Sequence, residues 1–277
     1  MVPYRHLALL TEYDGSAFFG WQIQKGQRTV QQVLRDALIQ LTGEEEGLKL
    51  TGCSRTDAGV HARGHVSDFA AHTRIPTDKF HLALNSILPR DISVRAACEV
   101  PDDFNARFAA RGKVYTYRIW NAASRPAMER NRACHVPGSL DLEIMTRAMP
   151  VLLGRHDFRA FRDSGASSKT TIRSLNRIEL AVQDPLITLT FEGDGFLYHM
   201  VRILTGTLLA VAQGKLSPGQ VADLLLSGER KQAGMTMPPE GLCLETVLYE
   251  PDIFARLNEP AWHARERGLS DVQFTVE

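Results

Sequence analysis

The sequence predicts an α+β fold of two fused halves, each ferredoxin-like or RRM-like, with mixed, mainly antiparallel sheets joined around a central basic cleft. The chain has 277 residues, 44% of them hydrophobic, so it is long enough to bury two cores. Segments that alternate apolar and polar residues are interspersed with segments of helical spacing. The order strand, helix, strand, strand, helix, strand occurs twice, which indicates a duplicated unit.

The same order of elements predicts the domain organisation. The N-terminal half covers residues 1–105, the C-terminal half covers residues 106–250, and an acidic tail covers residues 251–277. The halves do not visibly share sequence, so the duplication rests on the order alone. A cleft between two such halves is the natural place for a ligand.

The N-terminal half contains four strand patterns and two helical patterns. The strands are predicted at residues 5–13, 48–53, 65–71 and 91–100. The first helix is predicted over 29–43, because apolar residues recur there at helical spacing behind Thr29, a suitable N-terminal cap. The second helix is short and begins after Pro76.

The C-terminal half repeats this order and adds one helix. Its strands are predicted at residues 113–120, 174–182, 186–192 and 242–250, the middle two as a hairpin around Asp184-Pro185. Its helices are predicted at residues 140–153, 196–213 and 217–226. At the start of the last helix, Ser217 and Gln220 have the spacing of a capping box, and Pro218 occupies the first helical position.

Charge is unevenly distributed along a chain whose net charge is zero, with 32 basic and 32 acidic residues. Residues 104–132 carry seven Arg or Lys against one Glu, and residues 154–177 carry six against two Asp. From Glu240 onward the balance reverses, with eight acidic residues against three arginines. This segregation favours a basic, nucleic-acid-binding face on a neutral molecule, and ordinary solvated surface is the alternative interpretation.

Several classes of protein are disfavoured by the sequence. The longest apolar stretch, residues 196–214, contains His199 and Arg202, which argues against a membrane span. The N-terminus has too short an apolar run for a secretory signal and lacks a small-residue cleavage site. The four cysteines form no CxxC pair, so neither a zinc knuckle nor a disulfide scaffold is indicated. We therefore expect a cytoplasmic protein with no membrane contact.

The stretch TGCSRTDAGVHARGHVSDF, residues 51–69, concentrates ionisable residues around a tight turn. Gly59 can adopt positive φ where the chain reverses, two residues after Asp57. Arg55 precedes Asp57 by two residues, so on an extended backbone its guanidinium can keep the carboxylate ionised. Such a carboxylate is suited to act as a nucleophile. The alternative is an Asp that only holds its own loop through hydrogen bonds to the backbone.

A metal site is a further interpretation of this stretch. His61 and His65 are four residues apart and Asp68 follows them. Two glycines disfavour a helix here, and no His-Glu pair lies inside the spacing as it does in zinc hydrolases. We therefore predict no metal.

Three motifs carry a resemblance to a known family. They are SRTDAGVHA at residues 54–62, KVYTYRIWN at 113–121 and DGFLYHMVR at 194–202. On these motifs the chain resembles the tRNA pseudouridine synthase A family. The similarity extends over nearly the whole chain, since EYDGSAFFGWQIQ, FNARFAARGKVYTYRI and LLGRHDFRAFR occur in the family's order. The acidic tail matches no family motif.

The resemblance implies an activity, a partner and an oligomeric state. Family members isomerise uridine to pseudouridine in the anticodon stem-loop of tRNA, at about positions 38–40, as homodimers that use neither cofactor nor metal. The uracil is detached at N1, rotated and rejoined to the ribose through C5. The essential aspartate of the family corresponds to Asp57. Its carboxylate attacks C1′ of the ribose or C6 of the uracil, or helps to abstract a ribose proton.

The resemblance also assigns roles to other residues. Tyr115 lies against the target base and helps to remove the C5 proton, and Arg202 pairs with Asp57 as the third catalytic residue. Phe196 walls the pocket, and Arg55 enters the stack that a flipped-out uridine leaves. The remaining substrate-binding residues implied are Phe104, Arg107, Phe108, Arg111, Lys113, Arg159, Arg162, Ser164 and Lys169. Without the motifs, the alternative for Tyr115 is an ordinary half-buried strand tyrosine, and the alternative for Arg202 is an arginine at a helix edge.

Two phenylalanines and two other functions remain open. Phe158 and Phe161 are either stacking contacts for bases or core anchors under their loop. A non-catalytic RNA-binding module would explain the basic segments, yet it would leave Asp57 repelling phosphate in a positive groove. A glycosidic hydrolase would need a second carboxylate beside the bond, for which Asp68 is the nearby candidate.

Overall fold

The computed structural model describes residues 2–44, 46–165 and 168–255. Ten strands form one mixed, mostly antiparallel sheet in the described part of the chain, and five α-helices accompany it. The strands are β1 (Tyr4–Tyr13), β2 (Thr51–Gly52), β3 (His61–His72), β4 (Ile92–Glu99), β5 (Gly112–Trp120), β6 (Cys134–His135), β7 (Gly154–Asp157), β8 (Ile172–Gln183), β9 (Leu186–Gly193) and β10 (Leu242–Leu248). The helices are α1 (Val30–Thr42), α2 (Thr77–Asn85), α3 (Leu142–Ala148), α4 (Met200–Ala212) and α5 (Pro218–Ser227).

The strand order is the same in both halves. In the N-terminal half the strands lie in the order β4-β1-β3, and the short β2 pairs with the edge of β3 that β1 leaves free. In the C-terminal half the order is β10-β5-β9-β8, followed by β7. When the four main strands of each half are numbered along the chain, both orders are fourth, first, third, second. The halves join where β10 pairs in parallel with the start of β3, with Cys243 opposite His61 and Leu244 opposite Ala62. This junction places the loop between β2 and β3 beside the C-terminal half.

The caps predicted from the sequence are present. The Thr29 side chain accepts a hydrogen bond from the backbone N–H of Gln32 at the start of α1. Ser217 and Gln220 form the reciprocal pair of bonds of a capping box at the start of α5, behind Pro218 at the first helical position. Each cap satisfies backbone donors that the first helical turn leaves free. The helix boundaries at these two places were therefore predictable from local sequence.

Two helices are shorter than predicted. The helix expected over 140–153 ends at Ala148 and continues as a 3₁₀ turn at Pro150–Leu152, because a proline inside a helix removes a hydrogen bond and clashes with the preceding turn. The helix expected from residue 196 begins at Met200, because His199 has the left-handed φ of 60°. Phe196 therefore lies in the connection before α4 and not at its first turn.

The strand predictions missed several features. The strand expected from residue 65 already begins at His61, and only Thr51–Gly52 of the predicted 48–53 strand pairs with it. The two short strands β6 and β7 were not predicted at all. Both are too short to show a period of two, so their pairing depends on their neighbours.

Helix α4 is the most deeply buried helix of the described residues. Eleven of its thirteen residues are buried, because α3 and residues around the 3₁₀ turn at Arg159–Phe161 pack against it. The apolar side chains of both halves belong to a single buried cluster that crosses the β3–β10 junction. The N-terminal end of α4 is therefore held rigidly at the centre of the molecule.

Among the described residues, no helix has both the length and the apolar character that crossing a bilayer would require.

Candidate active site

The candidate site begins in residues 53–60, the loop that joins β2 to β3. Gly59 turns the chain with a φ of 81°, which glycine adopts without steric cost. Its N–H donates to the carbonyl of Phe18 at 3.2 Å, and the N–H of Val60 donates to the carbonyl of Asp57 at 3.1 Å. These bonds fix the backbone on both sides of the Asp57 side chain.

A buried histidine supports this loop from below. Nε2 of His65 donates to the carbonyl of Ser54 at 3.0 Å, and the ring stacks on the indole of Trp21 with the centroids 3.7 Å apart. Burial lowers the pKa of His65 to about 4, so the ring is neutral near pH 7. The hydroxyl of the buried Tyr13 lies 2.8 Å from Oγ1 of Thr56. Buried aromatic side chains therefore pack beneath the loop and support it.

The carboxylate of Asp57 forms an ion pair across the boundary between the halves. Its Oδ2 accepts a hydrogen bond from Nη1 of Arg202 on α4 at 3.2 Å, and Nε2 of His199 lies 3.5 Å from the same oxygen. The side chains of Asp57 and Arg202 are 23% and 12% exposed. Nε of Arg202 donates to the carbonyl of Met237 at 2.6 Å, which fixes the guanidinium. The predicted contact between Arg202 and Asp57 is therefore present.

Arg55 does not take the part that its spacing suggested. Among the described residues, the side chains paired with the Asp57 carboxylate are Arg202 and His199. Arg55 is exposed and lines the open groove above. The loop is not an extended strand at this point, so a separation of two residues does not place both side chains on one side. The arginine that pairs with Asp57 comes from the other half of the molecule.

Tyr115 and Phe196 form one wall beside Asp57. The Tyr115 side chain is buried on β5, and its hydroxyl lies 3.4 Å from Oγ of Ser54. The Phe196 ring contacts it edge-on, with the centroids 5.1 Å apart and the planes at 82°. Burial raises the pKa of Tyr115 well above its ordinary value, so its hydroxyl keeps its proton.

These residues open into a groove of about 1090 Å³ that both halves line. Its charged lining within the described chain comprises Lys49, Arg55, Asp57, Arg107, Lys113, Arg173 and Asp194. Five of these seven side chains are basic, so the groove attracts a polyanion. Aromatic rings also stand at its rim, and Phe108 is 80% exposed. Exposed aromatic and basic side chains together are typical of surfaces that bind unpaired nucleotides.

The sequence-predicted site residues divide into two groups. Those that line the groove are Arg55, Asp57, Arg107, Phe108, Lys113, Tyr115 and Phe196. Those that do not line it are Phe104, Arg111, Arg159, Arg162, Ser164 and Lys169, while Arg202 is present through its bond to Asp57.

Several of the second group have structural contacts. The Phe104 ring packs against Tyr249 with the centroids 5.8 Å apart. Nη2 of Arg159 donates to the carbonyl of Leu226 at 3.4 Å, at the C-terminal end of α5, where an arginine satisfies free carbonyls. Phe158 and Phe161 are fully buried, so they are core anchors and not stacking contacts.

The residues considered for a metal point to three different partners. Nδ1 of His61 accepts from the N–H of Gly15 at 3.1 Å, and His65 bonds the loop as described above. Oδ1 of Asp68 accepts from the N–H of Ala106 at 2.7 Å. Within the described ranges, no three His, Cys, Asp or Glu side chains are arranged to hold a metal ion.

Sequence reasoning missed two ionisable residues of the site. His199 stands between Asp57 and Asp163, with Nδ1 2.7 Å from Oδ2 of Asp163. The signal was available in part, because His199 lies within the motif DGFLYHMVR. Nothing in the local sequence links it to Asp163, which precedes it by 36 residues.

Comparison with known proteins supplies independent findings. A family model described as tRNA pseudouridine synthase matches residues 9–109 and 148–250. The "tRNA pseudouridine synthase A" of Acetivibrio thermocellus is 46% identical over 245 residues, which cover 88% of this chain and 100% of that protein. That of Citrifermentans bemidjiense is 47% identical over 247 residues, covering 89% and 98%. "tRNA pseudouridine synthase A 2" of Clostridium perfringens is 44% identical over 245 residues, covering 88% and 100%.

Similarity to solved structures is weak. A chain of the archaeal box H/ACA sRNP Nop10-Cbf5 complex matches 81% of this chain and 59% of its own length, at 11% identity and a TM-score of 0.32. A score this low supports no statement about fold or function.

Proposed function

Because this chain belongs to the tRNA pseudouridine synthase family and is thus an isomerase that acts on tRNA, we propose that it modifies uridines in the anticodon stem-loop, at about positions 38–40, with Asp57 as the catalytic carboxylate. The observation that carries this proposal is the ion pair between Asp57 and Arg202 at the floor of the groove. A carboxylate paired with an arginine in a basic groove has little reason to be there unless it reacts, because its charge repels the phosphates that the groove attracts.

The geometry supports a role for Arg202 and Asp57 and for the wall formed by Tyr115 and Phe196. Arg202 bonds Oδ2 of Asp57 and thereby fixes the carboxylate at the groove. The carboxylate then acts on C1′ of the ribose, on C6 of the uracil or on a ribose proton. Tyr115 and Phe196 offer a largely apolar wall against which the detached uracil turns without escaping.

Access to the target requires the uridine to leave its stack. Unstacking a base costs a few kcal/mol. Arg55 is exposed at the groove and free to insert its planar guanidinium into the vacated place. Arg107, Lys113 and Arg173 line the groove as phosphate contacts, so we expect affinity for tRNA to fall steeply with salt.

The test uses tRNA that carries tritium at C5 of uridine. Wild-type protein should release tritium without releasing free uracil. Asp57→Asn should lower the release by about 10⁴-fold or more while tRNA affinity stays within a few-fold, because the nucleophile is lost and the fold is not. Asp36→Asn, an exposed aspartate on α1, is the matched control and should behave as wild type.

The other outcomes select the other functions. Release of free uracil would indicate a glycosidic hydrolase. Binding of tRNA by the wild type without any release of tritium would indicate a non-catalytic binding module. An active Asp57→Asn variant would remove the catalytic role of this residue.

We extend the proposal to the scaffold and the assembly. The identical strand orders support two ferredoxin-like units, residues 1–105 and 106–250, fused around the groove. The working form is proposed to be a homodimer in the cytoplasm, with one tRNA contacting both subunits. The part of the acidic tail from residue 256 to 277 lies outside the described residues.

A further inference from the structure

His199 has a backbone conformation that calls for an explanation. Its φ and ψ are 60° and 7°, and it is the one non-glycine residue with positive φ in the described ranges. A residue with a Cβ is strained in this left-handed region. Strained residues of this kind persist where the surroundings hold them, and they concentrate at functional sites. This backbone conformation places the imidazole at the N-terminal end of α4, in the wall of the groove.

The contacts of His199 define which ring nitrogen carries the proton. Nδ1 lies 2.7 Å from Oδ2 of Asp163. That carboxylate also accepts hydrogen bonds from Nε of Arg230 at 2.9 Å and from Oγ1 of Thr236 at 2.8 Å. Partial burial alone would raise the pKa of Asp163, but the three hydrogen bonds outweigh it and lower the pKa to about 2.

An ionised carboxylate only accepts hydrogen bonds, so Nδ1 of His199 donates to it. In the neutral ring the lone pair is then on Nε2, which lies 3.5 Å from Oδ2 of Asp57. The ring of Tyr198 stacks on the imidazole with the centroids 3.7 Å apart and limits its rotation. A histidine whose Nδ1 donates to Asp163, and whose Nε2 faces Asp57 at the groove, has a nitrogen that can accept a proton from a bound substrate, as a general base does.

The isomerisation needs such a base once C5 of the uracil has bonded to C1′. At that point C5 carries both the ribose and its original hydrogen. Tyr115 is the other ionisable group proposed to lie against the uracil. It is protonated and therefore a poor proton acceptor, and its hydroxyl lies close to Ser54. We propose that His199 is a further catalytic residue, whose Nε2 takes the C5 proton of the rejoined uracil while Asp163 positions and supports the ring. This inference rests on the proposed function.

The step balances without an oxidant or a reductant. The C5–H bond breaks and its proton bonds to Nε2. Its electron pair becomes the C5–C6 π bond, the C6–N1 π pair moves on to N1, and N1 takes up a proton from water. The imidazolium then returns its proton to water, which accounts for the release of the C5 hydrogen into solvent.

The test compares His199→Gly and His199→Asn with wild type on the same tRNA. Both replacements tolerate positive φ, so they keep or relieve the local backbone conformation. Removal of a general base should slow pseudouridine formation by about 10²–10⁴-fold with tRNA affinity unchanged. Imidazole in the buffer should restore His199→Gly, with rates that rise with the basicity of substituted imidazoles. Uridine deuterated at C5 should react more slowly in the variants than protiated uridine.

Two further variants isolate the effect. Asp163→Asn should slow the same step. Combining it with His199→Asn should slow the step little further, because each change alone disables the same pair of Asp163 and His199. His81→Asn, on α2 and outside the groove lining, is the control and should be as active as wild type.

The outcomes separate this inference from the proposed function. Variants at position 199 that turn over as wild type would overturn it. So would a slow His199→Gly that imidazole does not restore, since His199 would then act only by holding Asp57. Wild type that forms no pseudouridine would overturn the proposed function and this inference with it.

Discussion

Helices α2 and α4 hold equivalent places in the two halves, since each lies between the third and fourth strands of its unit. Two of the nine residues of α2 are buried, whereas eleven of thirteen are buried in α4. The extra helix α5 belongs to the C-terminal half, and α3 contacts both it and α4. The same unit thus produces a surface helix in one half and a core helix in the other.

The connections of the two units differ in the same way. In the N-terminal half the connection between the second and third strands is the loop that carries Asp57, and its C-terminal counterpart is the tight turn at Asp184-Pro185. The C-terminal half instead contributes to the proposed site where β9 leads into α4, with His199 and Arg202 at the helix start. Each half therefore supplies a different component, and the proposed site is complete only where they meet.

His65 and His199 show the same contrast between the two halves at one residue type. His65 is buried under the loop of the N-terminal half and supports it through a hydrogen bond to Ser54. His199 lines the groove in the C-terminal half, with Nε2 3.5 Å from Oδ2 of Asp57. We expect changes at the first to alter stability and changes at the second to alter turnover.

Among the changes that test this contrast between the halves, the largest effect is expected from Arg202→Met. The change leaves the Asp57 carboxylate without its cation from α4, so we expect the single-turnover rate to fall by about 10³-fold, as when one partner of a buried charged pair is removed. Affinity for tRNA should change by only a few-fold. Rapid-quench kinetics and filter binding measure the two quantities. An active variant would remove the ion pair from the mechanism.

The next effect tests the difference between the equivalent helices. Leu204 of α4 is fully buried, and Leu82 of α2 is 55% exposed. Leu204→Ala should lower the free energy of unfolding by about 2–5 kcal/mol, because it leaves a cavity in the core. Leu82→Ala should change it by less than about 0.5 kcal/mol. Urea unfolding followed by circular dichroism compares them, and equal losses would contradict the asymmetry of the halves.

The smallest effect concerns the buried histidine and pH. The pKa of His65 is about 4 in the folded protein and 6.5 for the free side chain, so below pH 6.5 the unfolded chain binds more protons. The free energy of unfolding contributed by this residue is therefore fully present above pH 6.5 and is lost as the pH falls toward 4. At pH 5.5 the loss should be about 1 kcal/mol.

His65→Gln isolates this contribution. Urea unfolding between pH 5 and 8 should show a shallower fall of stability with acidity in the variant than in wild type. Parallel curves for the two proteins would show that His65 is not held neutral in the fold.

Local sequence determined the parts of this protein that depend on a few neighbouring residues. The periods of the strands and helices, Thr29 and the capping box at Ser217 follow from hydrogen bonds and side-chain directions within four residues. The motif around Asp57 pointed to the family and to this carboxylate. Pro150 was visible in the same way as a helix terminator, although the prediction did not use it.

The tertiary structure decided which charges meet. Arg55 lies two residues from Asp57, yet the carboxylate pairs with Arg202, which is 145 residues away. Local sequence also did not predict the contact between His199 and Asp163. Nor did it separate the basic residues that line the groove from those that lie elsewhere on the surface. These contacts exist because β10 pairs with β3 and brings α4 under the loop, and pairing between distant strands leaves no periodic signal in either segment.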